Sequence, residues 1–271
     1  MNELTVKAVE AMRKNGFEVY ETQTAGQARA KVLELIGEKG SVGVGGSMTI
    51  RELNLIEELE ANGHDVWWHW QTPGERVQVL ENARKADFYL ASTNAVTKGG
   101  CLVNIDGSCN RVAGMMQGPQ TVILVISEHK IVDGGLNTAI ARIRRHACPP
   151  NAKRLKLNTP CALTGACNQP ECGEDCMCRV IAMMERPPRG KRVVVVMVED
   201  VWGIDLSCCR SAKKRLPLAV FFCYARNSMG RKSWMQRRQT LQSWPPGKVR
   251  RIMRRGLSFS MLSSLRKLGR N

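Results

Sequence analysis

Hydrophobic positions along residues 1–200 alternate between two periods. Short runs rich in Val, Ile and aromatic residues suit strands, and the stretches between them carry apolar residues three and four apart, as helices do. Val6 to Met12 has helical spacing and stops before Gly16. A strand over 17–20 follows, then a helix over Ala25–Ile36 with Thr24 as its N-cap and Gly37 beyond its end. The same reading predicts a strand at 41–45, a helix at 48–60, a strand at 66–70 and a helix at 75–85. Strands at Phe88–Ala91, 102–105 and Thr121–Ser127 come next, with a helix over 111–117 beginning after Asn110 and another over 136–145. Arg192–Val198 is almost wholly apolar, as expected of a strand in the middle of a parallel or mixed sheet. Strand–helix alternation of this kind predicts a three-layer α/β domain around a central, mostly parallel sheet. Residues 148–178, rich in Pro, Asn, Gly and Cys, break the rhythm, and little regular structure is expected there.

Charge separates the chain into two parts. The net charge is +17, yet residues 201–271 hold 17 Lys and Arg against a single acid, Asp205, so residues 1–200 are near neutral. The domain reading is therefore an α/β domain over 1–200 and a basic tail over 201–271. The loss of acids and of periodicity marks that tail as disordered or as a non-native extension, such as out-of-frame translation past a lost stop codon. The rival is an arm binding nucleic acid or a membrane surface, with Arg and interleaved Trp meeting single strands by charge and stacking. The longest apolar run, 193–198, is too short to cross a bilayer, and the N-terminus reads as an amphipathic helix rather than a signal peptide. A soluble cytoplasmic protein is expected.

Three clusters carry candidate chemistry. The first is the turn Gly43-Val44-Gly45-Gly46-Ser47-Met48-Thr49 between a strand and a helix. Glycines let a ligand approach the backbone, and a helix start offers free N–H groups to an anion. The third glycine of a dinucleotide fingerprint would fall at Met48, so that motif is excluded. Gly45, Gly46, Ser47 and Thr49 are the ligand candidates; the bland alternative is a tight turn with Ser47 as N-cap. The second cluster is Asn104-Ile105-Asp106-Gly107-Ser108-Cys109-Asn110-Arg111, with Asn94 upstream. Asp106-Gly107 is a turn dipeptide, but Asn94, Asn104, Gly107, Asn110 and Arg111 also supply ligand groups, and Arg111 suits a carboxylate or phosphate. In an α/β fold this loop is expected to meet the Gly45–Ser47 turn. The third cluster is six cysteines spaced C-x12-C-x5-C-x4-C-x3-C-x-C from Cys148 to Cys178. Thiolates suit zinc or an iron–sulfur cluster, although the spacing is neither a ferredoxin run nor a zinc ribbon. The alternative is a set of structural or redox-active thiols. Among the histidines, His69 sits in a Trp-rich run that reads as core or interface, His129 is a site candidate, and His146 is a possible metal partner.

The stretch from Ala86 to Arg145, with VGVGGSMTIREL (Val42 to Leu53) and TPCALTGAC (Thr159 to Cys167), resembles the LUD-domain family, the lactate-utilisation proteins. The resemblance runs from about Met1 to Asp200. It implies a fold similar to the sugar-phosphate isomerase and CoA-transferase superfamily, and a link to oxidation of lactate or related acids beside iron–sulfur partner proteins. The family shares the N-x-D-G-x-x-N-R pattern of Asn104 to Arg111, and the related superfamily makes Asp106 the candidate catalytic carboxylate. The family's cysteine pattern points to Cys161, Cys167, Cys172 and Cys178 as metal ligands, with a departure in spacing at Cys172 and with Cys148 and Cys176 spare. The implied function is binding of a small anionic metabolite (an organic acid, phosphate or CoA ester) in cytoplasmic organic-acid metabolism. The alternatives are a non-catalytic subunit of an iron–sulfur oxidoreductase and nucleic-acid binding through the tail.

Overall fold

The computed structural model describes residues 1–167 and 171–199. The basic segment 201–271 lies outside the described residues, and with it both readings of the tail.

In chain order the elements are α1 (Glu3–Lys14), β1 (Glu18–Thr22), α2 (Ala25–Ile36), β2 (Val42–Val44), α3 (Met48–Leu53), α4 (Ile56–Ala61), β3 (Val66–Trp67) and α5 (Arg76–Lys85). Then follow β4 (Phe88–Ala91), β5 (Ala95–Thr97), β6 (Leu102–Asp106), α6 (Asn110–Gln117), β7 (Thr121–Ser127), β8 (Ile131–Val132) and α7 (Leu136–Arg142). The described chain closes with α8 (Cys148–Arg154), α9 (Pro160–Thr164), β9 (Val180–Met184) and β10 (Arg192–Val198). Helix starts follow the local chemistry. Asn2 accepts from the Thr5 amide at α1, and Thr24 forms a capping box with Gln27 at α2, satisfying amides that the helix itself leaves unpaired.

Six parallel strands make the central sheet in the order β1-β10-β7-β4-β2-β3. The last strand, β10, inserts between β1 and β7, which explains its apolar sequence: both of its faces are covered. Val193, Val195 and Met197 pack with Ala8, Val9 and Met12 of α1 and with Met115 of α6. Val194, Val196 and Val198 pack on the opposite face with Ala28 and Val32 of α2 and Ile50 of α3. Each of the six buried side chains of β10 contributes about 1.5–3 kcal/mol of transfer free energy. The result is the expected three-layer α/β architecture with a mostly parallel central sheet.

A second sheet, ordered β8-β5-β6-β9, stands beside the first. β6 runs antiparallel to β5 and β9, and β5 runs parallel to β8. Its inner residues Ala95, Val103, Ile105 and Val132 pack against Ala139 of α7 and against Ile143 and Ala147. β5 and β8 are too short to show a period, and β9 exposes most of its apolar side chains, so none of the three was predicted.

Other departures from the sequence reading have local causes. The helix expected over 48–60 is two helices, because Asn54 adopts a left-handed conformation (φ 52°) that ends α3. The strand expected to reach Trp70 stops at Trp67, since the Trp68 carbonyl accepts from the Gln71 and Thr72 amides and turns the chain. The helix expected over 136–145 passes into a π-helical turn at Ile143–Ala147. The Cys-rich stretch holds more structure than expected, namely α8 and the Thr159-capped α9.

Candidate functional site

The carboxyl ends of β2, β4, β6 and β7 converge, and the turns that leave them enclose a cleft of about 270 Å³. Open α/β sheets bind ligands at this edge, because the chain reverses there and neighbouring turns diverge. After β2 come Gly46, Ser47 and Thr49; after β4 come Ser92, Thr93 and Asn94; after β6 come Gly107 and Asn110; after β7 comes Lys130. The π-helical turn and α8 add Ile143, Ala147, Cys148 and Arg154 as a far wall. Such π turns recur where a helix must present side chains to a site.

Lys130 lies 5% exposed at the cleft. Its ammonium donates to Ser92 Oγ (2.8 Å), Thr49 Oγ1 (3.1 Å) and the Thr93 carbonyl (3.1 Å). The 3₁₀ turn Glu128–Lys130 that ends β7 swings the side chain inward. The same turn leaves His129 exposed, with its carbonyl accepting from Arg142. His129, the sequence candidate, is therefore displaced by its neighbour. The only sequence signal for Lys130 is its place just beyond a buried strand.

Arg111 is buried and turned toward protein acceptors. It donates to the Ser92 carbonyl (3.1 Å), Asn94 Oδ1 (2.9 Å) and the Ile105 carbonyl (3.1 Å), and its Nε stands 3.6 Å from Asp106 Oδ2. Burial pulls its pKa down, opposed by the Asp106 charge. This guanidinium braces the β4 and β6 turns. Asp106 Oδ1 accepts from the Cys109 amide (3.1 Å), while Oδ2 is buried and has no hydrogen-bond partner among the described residues. The Arg111 charge balances this oxygen, and its hydrogen-bonding capacity is left open.

The remaining sequence candidates divide by depth. Gly46, Ser47, Thr49, Asn94, Gly107 and Asn110 line the cleft together with Asp106 and Arg111. Ser47 Oγ accepts from the Ile50 amide as the N-cap of the six-residue α3. Gly45 and Asn104 lie behind the wall. A Cβ on Gly45 would stand 3.1 Å from Tyr89 Oη and from Arg111 Cγ. Asn104 is fully buried, and its Oδ1 accepts from Thr93 Oγ1 and the Asn94 amide. Asn94 Oδ1 also accepts from the Ile105 amide, so these two carboxamides lace β4's end to β6.

At the rim stand His69, Trp70, Arg76 and Arg154. The Trp-rich run serves two purposes: Trp68 is 1% exposed in the core, and the next two residues reach the cleft. Arg154 stacks on the Trp70 ring at 4.8 Å. Burial, and then the Arg76 charge, hold the His69 imidazole below its ordinary pKa. Burial and the Arg51 charge likewise depress Arg154. An anion at the rim relieves both effects: it offsets the unfavourable burial of the Arg154 charge and favours protonation of the otherwise neutral His69 imidazole.

The thiols of the Cys-rich stretch act on one another. The Cys148 and Cys178 sulfurs are 3.3 Å apart. That hydrogen bond, with the Arg144 charge, draws Cys178 down to about 7 against its partial burial, whereas Cys148 is pushed up. Cys172, pushed up to about 11 mainly by desolvation, hydrogen-bonds Cys176. Cys161 sits 3.3 Å from Thr159 Oγ1. Among the described residues no three His, Cys, Asp or Glu side chains are grouped to hold a metal ion. Residues 168–170, between Cys167 and Cys172 of the expected ligand set Cys161, Cys167, Cys172 and Cys178, lie outside the described residues.

The model of the LUD domain family matches residues 6–198. No curated protein matches. Among solved structures, the chain is similar to the crystal structure of a DUF162 family protein from Deinococcus radiodurans, at 14% identity and a TM-score of 0.43, covering 72% of this chain and 96% of that one.

Proposed function

This chain belongs to the LUD-domain family, and on that premise we propose that it binds a small hydroxy acid of the lactate class in the cleft, as part of organic-acid metabolism. The observation that carries the reading is the placing of a buried cation, Lys130, and a buried carboxylate, Asp106, whose Oδ2 has an ion-pair partner in Arg111 but no hydrogen-bond donor among the described residues, at one cleft. A 2-hydroxy acid offers the complementary pair: a carboxylate for the cation and a hydroxyl donor for the carboxylate oxygen. Thr49, Ser92 and Thr93 orient the ammonium, and Arg111 holds Asp106 in place from behind. In this reading Asp106 is also the group placed to take a proton from the hydroxyl.

The volume favours a small ligand. About 270 Å³ falls below the usual range for ligand pockets, roughly 300–1,000 Å³, and suits a short acid or its phosphate better than a whole CoA ester. Arg76 and Arg154 at the rim supply further positive charge to draw an anion in.

Calorimetric titration of the full chain with lactate, propionate, inorganic phosphate and CoA tests the proposal. Lactate is expected to bind at least about tenfold more tightly than propionate, which lacks the hydroxyl, a difference of about 1.4 kcal/mol. Asp106→Asn should narrow that gap, and Lys130→Met should weaken both acids. Arg76→Gln, at an exposed position, checks the charge argument without disturbing the core. Equal binding of lactate and propionate by the unaltered chain, or CoA alone as the ligand, would overturn the reading.

A further inference from the structure

Cys148 and Cys178 come from segments that the fold fixes independently. Cys148 is 2% exposed, follows the π-helical turn and packs in the core of the second sheet. Cys178 is half-buried just ahead of β9, whose register is set by pairing with β6 from Val180 opposite Asp106 to Met184 opposite Leu102. The Arg179 amide donates to the Asp106 carbonyl (3.1 Å), and Asn151 Nδ2 reaches Met177 Sδ (3.5 Å), so the residues on each side of Cys178's approach are held too. The two sulfurs meet at 3.3 Å because both backbones are anchored, and the contact does not depend on a flexible loop. Shortening that distance by roughly 1.3 Å reaches a disulfide bond length, a change within the scope of side-chain torsion.

We propose that Cys148 and Cys178 are a dithiol–disulfide couple, oxidised by low-molecular-weight disulfides of the glutathione class. The half-buried Cys178 thiolate attacks one sulfur of the oxidised disulfide, forming a mixed disulfide and releasing one thiolate. Cys148 then attacks Cys178 Sγ; its proton passes to the second departing thiolate. Two protein thiols have lost two electrons, one small disulfide has gained them, and two small thiols leave. Because Cys148 and Met177 both line the cleft, the bond ties the segment ahead of β9 to the π-turn wall. The redox state of the couple thereby sets how far that wall can open, whichever acid the cleft holds.

The test equilibrates the full chain with mixtures of reduced and oxidised glutathione, traps free thiols by alkylation and maps the peptides by mass spectrometry. The expected result is a joined pair of peptides carrying Cys148 and Cys178, rising in step with the oxidised fraction. Cys148→Ser is expected to leave Cys178 carrying glutathione, and Cys178→Ser to leave Cys148 as a free thiol. The proposal is overturned if both cysteines are still alkylated at the most oxidising ratio while Cys172 and Cys176 join. It is equally overturned if the purified chain carries stoichiometric zinc or iron that shields both thiols from glutathione. Both readouts use the unaltered chain, so neither depends on a variant's folding or on the identity of the acid.

Discussion

Gly43→Ala should destabilise the domain by about 2–3 kcal/mol, although the sequence places this glycine in a ligand turn. Gly43 sits in β2, paired with Trp67 of β3 on one side and Tyr89 of β4 on the other. A Cβ there would stand 2.0 Å from the Ala83 carbonyl oxygen and 2.7 Å from its carbon, both backbone atoms of α5. Relief requires more than an ångström of retreat by α5, because the strand is pinned in the sheet. That retreat loosens the packing of the buried Val79 and Ala83. Overpacking of this kind costs about 1–3 kcal/mol, and a backbone obstacle places it at the upper end. The lower entropy of the unfolded alanine chain returns about 0.4–1 kcal/mol. At about 2–4 °C per kcal/mol for a domain of this size, the melting temperature should fall by about 4–12 °C. Gly46→Ala is the matched control, since its Cβ would meet side chains and no backbone, the movable Trp70 ring at 3.2 Å and the His69 ring at 3.6 Å, and should cost under about 1 kcal/mol. Urea and thermal unfolding of the full chain measure both. A Gly43→Ala protein within 0.5 kcal/mol of the parent, or a Gly46→Ala protein equally destabilised, would refute the packing argument.

Two further outcomes follow from the site. Arg111→Met strips the Ser92 and Ile105 carbonyls of a donor and leaves Asp106 buried without its cation, so unfolding should show a loss of about 3–5 kcal/mol. Adding Asp106→Asn to that variant should recover part of the loss, and strict additivity would sink the ion-pair explanation. Burial and Arg76 hold His69 below its ordinary pKa, and an anion in the cleft favours the imidazolium, so binding takes up a proton. Anion affinity should therefore rise as pH falls through the bound-state pKa and level off below the free-state pKa. Titrations between pH 8 and pH 5 should show this rise, and His69→Asn should flatten it.

The layer architecture was legible because both periods of the chain are clean: β10, β7 and α2 announce themselves by composition and caps alone. The convergence of the Gly46–Thr49 turn with the Asp106–Arg111 loop was legible for a different reason, since both follow the carboxyl ends of strands, although β2 and β6 belong to different sheets. The second sheet was not legible. β8 has two residues and β5 three, too few for a period to show, and β9 exposes Val180, Ile181 and Met183, so its apolar pattern marks no buried face. The depth of side chains was hidden as well. Arg111 reads as an anion clamp until its acceptors are seen to be carbonyls of its own scaffold. Lys130 reads as one more surface lysine until a 3₁₀ turn buries it. Gly43, Gly45 and Gly46 look like one motif, yet they face α5, Tyr89 with Arg111, and the cleft rim in turn.

The placement of β10 has a kinetic consequence. Among the described residues β1 pairs only with β10, and the Thr22 hydroxyl bonds the Met197 carbonyl across 175 residues of chain. During synthesis, β1 and the exposed flank of β7 must wait, unpaired, until the far end of the domain arrives. Loops of that length close slowly, and open strand edges pair with whatever is near. The two-fold apolar character that lets β10 seal the sheet is thus also a period of vulnerability, during which a helper that shields strand edges would raise the yield of folded protein more than any gain in final stability.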